Sequence, residues 1–225
     1  MYWNDIFYIL TLVLFVVSLI ASGVVRRRYK QYAKERTANG MTGAMAAERI
    51  LRANGIRDVS IVQTGGVLTD NYNPTNRTLN LSEAVYGGAD VSAVSVAAHE
   101  CGHAIQHATQ YPLLMLRKSL APICNIGSMG SYVAILLGIF FRMTGLITLG
   151  AVLFSGIVLF NLVTLPVEVD ASRRALREVE RLNLLTSEEL VGGRKVLTAA
   201  GMTYFISLVT SIVQFLRLLS LARRK

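Results

Sequence analysis

A chain of 225 residues could fold as one or two soluble domains, but 52% of this one is apolar and only 16% is charged, which excludes an ordinary soluble globule. The formal net charge of +9 does not call for a nucleic-acid partner: twelve Lys and Arg lie between residues 26 and 118 and six more between 173 and 195, beside apolar segments where anionic lipid attracts positive charge. Two cysteines, Cys101 and Cys124, fall in a predicted cytosolic helix and a predicted span, so no disulfide is expected.

Residues 1–25 form the first element. Tyr2 to Val25 is almost uniformly apolar and long enough to cross a bilayer. Its leading flank lacks Lys and Arg, and the positive cluster Arg26, Arg27, Arg28 and Lys30 follows it. It therefore reads as a retained anchor, not a cleavable signal, with residue 26 onward in the cytoplasm.

Residues 26–118 read as a small cytosolic α+β unit. Met41 to Asn54 is an amphipathic helix with Thr42 as N-cap and Gly55 as stop. Val59 to Val62 and Val67 to Thr69 are expected as short strands around a Gly65-Gly66 turn, with a break at Asn73-Pro74. A third strand, Thr78-Leu79-Asn80-Leu81, is expected as an exposed edge to which an extended peptide substrate could add, although a plain structural hairpin explains it equally. Two glycosylation sequons, at Asn76 and Asn80, have no meaning on this side of the membrane.

Ala89 to Gln110 carries helical apolar spacing and holds His99-Glu100-Cys101-Gly102-His103. Residues four apart on a helix stack on one face, so His99 and His103 can present two imidazoles to one cation, with Glu100 beside them. Zinc accepts imidazole nitrogen and lowers the pKa of water, which a neighbouring carboxylate can then deprotonate. All three histidines of the chain, at 99, 103 and 107, fall within nine residues. The flanking residues are small or apolar, and a buried unpaired glutamate would be costly without a cation. Cys101 lies about 100° round the helix from Glu100 and reads as packing.

Residues 119–165 form a membrane hairpin, Leu120 to Phe141 and Met143 to Leu165, split by Arg142 at its outer turn. Residues 166–195 return to the cytoplasm, with a helix from Glu168 to Leu182 and a capping-box signal at Thr186 and Glu189. Residues 196–225 form a last span or a re-entrant helix, since four crossings would put Arg223, Arg224 and Lys225 outside, against the positive-inside tendency. The fold class is thus a mainly α integral membrane protein, with three to four transmembrane helices and a small cytosolic α+β zincin-like metalloprotease unit.

A catalytic zinc site needs a third protein ligand. His107 lies about 12 Å along the helix axis from His99, too far to share one ion, and Thr109 stands where a longer H-E-x-x-H-x-x-G-x-x-H pattern would place a histidine. A carboxylate must serve. The first two on the cytosolic side of the hairpin are Glu168 and Asp170; Glu168 has the longer reach, and Asp170 could support a ligand or replace one.

With these residues in place the chain resembles the YugP-like neutral zinc metallopeptidase family. The resemblance rests on His99-Glu100-x-x-His103 with Ala104-x-Gln106, on Asn71-Tyr72-Asn73-Pro74 and Leu79-x-Leu81-Ser82, and on Pro166 to Ala175 after the hairpin. It covers nearly the whole chain. More distantly the chain is similar to HtpX-like membrane proteases and CAAX prenyl proteases, whose E-x-x-A-D segment implies Glu168 as third ligand and matches Ala171, while its Asp falls on Ser172.

The expected activity is that of an integral-membrane zinc endopeptidase of the HExxH type, with one Zn²⁺ per chain held by His99, His103 and Glu168 and with Glu100 as general base. The alternative is a catalytically inactive membrane zinc-binding scaffold or adaptor, for which an intact Glu100 would have no use. Oxyanion stabilisation would fall to Arg173, Arg174 or Tyr204, or else to His107. A peptide or protein substrate, the lipid bilayer and no nucleic acid are the expected partners. The expected location is the bacterial plasma membrane, multi-pass, with the active site facing the cytoplasm.

Overall fold

A computed structural model describes residues 2–223. In chain order the elements are α1 (Tyr2–Tyr32), α2 (Gly43–Ala53), β1 (Ser60–Thr64), β2 (Asn71–Asn73), β3 (Thr78–Ser82), α3 (Glu83–Tyr86), α4 (Val91–Ala108), α5 (Pro112–Phe140), α6 (Thr144–Arg181) and α7 (Ser187–Ala222). They divide into two compact units. One comprises Ser22–Tyr111 and Val167–Met202; the other comprises the described residues before 22, Pro112–Pro166, and those from Thr203 on.

Among the described residues, four helices are long and apolar enough to cross a membrane: Ile6–Tyr32, Pro112–Phe140, Thr144–Arg181 and Ser187–Ala222. Leu12, Phe15 and Ile20 of α1 are more than half exposed, an arrangement that hydrocarbon satisfies and water does not. Within this unit α5 and α6 approach closely through small residues. A Cβ on Gly138 would meet Ile147 Cγ1 at 2.7 Å, and Ser131 Oγ donates to the Gly150 carbonyl at 2.8 Å. Arg142, at positive φ, turns the chain between the two helices. Gln214 of α7 donates to Thr11 of α1 at 3.3 Å. The expected charges Arg224 and Lys225 lie outside the described residues.

The other unit has a continuous apolar core. Ala46, Ala47, Ile50 and Leu51 bury the face of α2 with Val94, Ala97, Ala98 and Cys101 of α4, and Leu79 and Leu81 of β3 are wholly buried with them. Each fully buried leucine contributes on the order of 1.5–3 kcal/mol. Thr42 caps α2 by accepting the Met45 N–H at 3.2 Å, and Asp90 caps α4 by accepting the Ala93 N–H at 2.9 Å. The predicted capping box before α7 is reciprocal. Thr186 N–H donates to Glu189 Oε2 at 2.7 Å, and Glu189 N–H donates to Thr186 Oγ1 at 3.3 Å.

Three expectations are corrected. The strand expected at Val67 to Thr69 is absent; Leu68 takes a positive φ of 58°, which breaks extended geometry, and β2 instead forms at Asn71–Asn73. The sheet order is β1-β3-β2, with β1 parallel and β2 antiparallel to β3. Thr78, Leu79 and Asn80 therefore lie in the central strand, paired on both sides, and Leu81 continues it paired with Gln63 of β1, so the expected edge strand is not an edge of the sheet. Finally, the span expected to end at Leu165 and the separate helix expected from Glu168 are a single helix. The helix continues as α6 to Arg181, because Pro166 removes one intrahelical donor without forcing the backbone out of helical geometry.

Candidate metal centre

Two helices build the site. On α4, His99 and His103 are one turn apart, with ring centroids separated by 4.9 Å and planes at 82°. From α6, Glu168 enters between them: its Oε2 lies 3.2 Å from His99 Nε2 and 3.6 Å from His103 Nε2. One donor atom from each of the three falls within 4.8 Å of the others. The helices come this close because residue 102 is glycine. A Cβ there would collide with the carbonyl oxygen of Ala171, itself fully buried.

The far ring nitrogens are also engaged. His99 Nδ1 meets Ser172 Oγ at 3.1 Å, and His103 Nδ1 meets Gln106 Oε1 at 3.0 Å. The Gln106 amide, wholly buried, donates to the Val167 carbonyl and to Asp170 Oδ2, both at 2.8 Å. Such bonds fix the ring orientation so that both Nε2 atoms point at one place. Asp170 thus faces Gln106 and Arg174, whose Nε lies 2.6 Å away, and not the His-His-Glu cluster.

The fit to a cation is good on these grounds. Two imidazole nitrogens and a carboxylate oxygen are the donor set of a catalytic zinc centre, and Glu168 is only 2% exposed, a burial that an ionised carboxylate tolerates only beside positive charge. At His103, burial lowers the imidazole pKa, but the hydrogen bond to Glu168, the charges of Glu100 and Glu168 and the bond to Gln106 together raise it above its ordinary value. The cluster draws positive charge into itself.

Glu100, only 8% exposed, turns toward the sheet, where its Oε2 accepts the backbone N–H of Tyr72 at 2.9 Å. The Tyr72 phenol reaches His107, with its oxygen 2.8 Å from Nδ1. Cys101 is buried beside the Ala47 carbonyl, and burial pushes its thiol pKa well up, as befits packing. Of the oxyanion candidates, Arg174 also donates to Thr109 at 3.3 Å and lies 5.6 Å from the Tyr111 ring centroid. Arg173 is exposed, and Tyr204 belongs to the other unit.

Sequence reasoning missed the roles of three residues. Ser172 occupies the position where the related E-x-x-A-D pattern has Asp, and it still reaches the His99 ring. Gln106, three residues after His103, is an ordinary amide whose bond to the His103 ring only the fold reveals. Tyr72 lay inside the Asn-Tyr-Asn-Pro segment, which looks like a turn.

Comparison with known proteins agrees with this geometry. The family described as "Putative neutral zinc metallopeptidase" matches residues 7–223. The chain is 41% identical over 212 residues to "Putative membrane protease YugP" of Bacillus subtilis (strain 168), covering 94% of each chain. No solved structure matches.

Proposed function

This chain belongs to the family of neutral zinc metallopeptidases, and on that footing we propose that it is an integral-membrane endopeptidase in which His99, His103 and Glu168 hold one zinc ion and Glu100 is the general base. The observation that carries this reading is the convergence of three donors, 69 residues apart along the chain at His99 and Glu168, within 4.8 Å of one another and one residue from a carboxylate. Bound there, zinc supplies Lewis acidity, polarising the scissile carbonyl and acidifying water.

The side chains do the rest. Ser172 and Gln106 engage the Nδ1 atoms of His99 and His103, which orients both rings with Nε2 toward the ion. Glu100, with Oε2 held by the Tyr72 N–H, takes the proton of the attacking water at Oε1 and delivers it to the departing amine nitrogen. Glu100 and Glu168 are only 8% and 2% exposed, and such burial strengthens their electrostatic interactions.

The positive cluster Arg26 to Arg28 after the first apolar run supports a cytoplasmic site in a bacterial plasma membrane. The test of mechanism is Glu100→Gln in purified, zinc-loaded protein. Hydrolysis of an unstructured protein substrate should fall by at least about 10³-fold, on the scale of losing a general base together with its orientation, with zinc content unchanged. A scaffold predicts no turnover in the wild type either, and undiminished cleavage by Glu100→Gln contradicts the mechanism.

A further inference from the structure

β2 is only three residues long. It follows an exposed loop in which Val67 and Leu68 are 77% and 45% exposed, and its one strand partner is β3. So short a strand has little of its own to fix its position along or above the sheet. Yet Tyr72 at its centre, opposite Leu79 of β3, turns its N–H outward onto the carboxylate that the proposed reaction uses as base. Side chains next to it tie the strand to β3, with Asp70 accepting the Ser82 N–H at 2.7 Å and Asn71 accepting from Asn80 at 3.0 Å, but these bonds do not reach α4, where Glu100 sits.

His107 is placed to make that link. It stands seven residues after Glu100 on α4, two turns along the same face, and its Nδ1 lies 2.8 Å from the Tyr72 hydroxyl. The two rings are 5.8 Å apart at 53°. Tyr72 is therefore gripped by α4 at both ends, through its backbone at Glu100 and through its phenol at His107. Burial pushes the phenol pKa up, so the hydroxyl keeps its proton and can donate a hydrogen bond to the imidazole.

We propose that His107 is a positioning residue for Glu100, acting through Tyr72: by accepting the phenol hydroxyl it clamps β2 onto α4, so that the Tyr72 N–H holds Glu100 Oε2 in a fixed direction. This rests on the protease reading above, with Glu100 as base. A base displaced by about 1 Å can lose as much as 100-fold in rate, so the clamp affects turnover more than substrate binding. A pin that merely fastened sheet to helix would alter melting temperature and leave the kcat-to-KM split untouched.

The experiment uses full-length, zinc-loaded protein in detergent micelles, with casein as substrate. Tyr72→Phe, His107→Ala and the double variant should each lower kcat by about tenfold, the double no further than the singles, since both remove one interaction. KM should stay within about twofold and zinc content should not change. His107→Asn, whose side-chain oxygen falls near the position of Nδ1, should restore kcat to within about threefold of wild type. Independently of turnover, residue-resolved hydrogen exchange should show the Tyr72 amide exchanging at least about tenfold faster in His107→Ala. An unchanged Tyr72 amide, or losses in kcat that multiply in the double variant, overturns the inference while wild-type cleavage leaves the protease reading standing. A zinc-loaded wild type without any cleavage overturns both, and is recognised by being independent of His107.

Discussion

A carboxylate buried as deeply as Glu168 persists in its ionised form only where positive charge meets it. At His103 the hydrogen bond to Glu168 and the charges of Glu100 and Glu168 favour a proton on the ring, whose pKa is raised despite its burial. The sign follows from linkage: a raised folded-state pKa gives stability that is fully present below the ordinary value of 6.5 and is lost as pH climbs through the raised one. Zinc needs the same imidazoles neutral, so its stabilisation grows over the same interval. The melting-temperature gap between zinc-loaded and zinc-free protein should therefore widen as the pH rises above 6.5; a constant gap contradicts this account of the cluster. At this scale the sequence was most legible where chemistry restricts the choice. With three histidines clustered in nine residues and His107 a full 12 Å or so from His99, a carboxylate ligand followed by elimination. Ser172, Gln106 and Tyr72 were not legible, because hydroxyl, amide and backbone N–H groups occur everywhere and acquire roles only through tertiary contact.

Between elements, the decisive contact is the crossing of α4 over α6 at Gly102 and Ala171. Nothing there can yield cheaply, since the atom a new Cβ would strike is backbone. Gly102→Ala should drive the helices apart, pull Glu168 away from the two imidazoles and weaken zinc retention by at least about tenfold in chelator competition. Gly201→Ala in α7, where a Cβ meets nothing within 4 Å, should change retention little and add helix propensity of up to about 1 kcal/mol. Equal effects of the two substitutions would remove the crossing from the explanation. Helix periodicity and caps at Thr42, Thr186 and Glu189 could be read in advance because they are local. β2 could not, since Asn71-Tyr72-Asn73 before proline has turn chemistry and becomes a strand only by pairing with β3 and meeting Glu100. The same blindness put a substrate edge on β3, which the sheet encloses from both sides. The uninterrupted α6 shows the converse: Pro166 has the local signature of a helix end, which the context of a long apolar helix overrides.

For the whole molecule, four apolar helices and a metallopeptidase family make this a membrane protease by class. Length and hydropathy narrowed their number to three or four, because a bilayer imposes the same apolar length on every crossing, while the charges at the end of the chain left the last one open as a span or a re-entrant helix. The direction of insertion depends on the arginines after the first span, and reporters fused near residues 100 and 170 should both register cytoplasmic. Opposite sides would make joint ligation by α4 and α6 impossible. The central claim, one ion held by two helices, is tested most directly by the metal content of purified protein. The account predicts close to one zinc per chain in the wild type, loss of it in Glu168→Ala, and its retention with affinity weakened by roughly 10–100-fold in Asp170→Ala, which touches the ligands only through Gln106. Full zinc occupancy in Glu168→Ala, or none in the wild type, would contradict it.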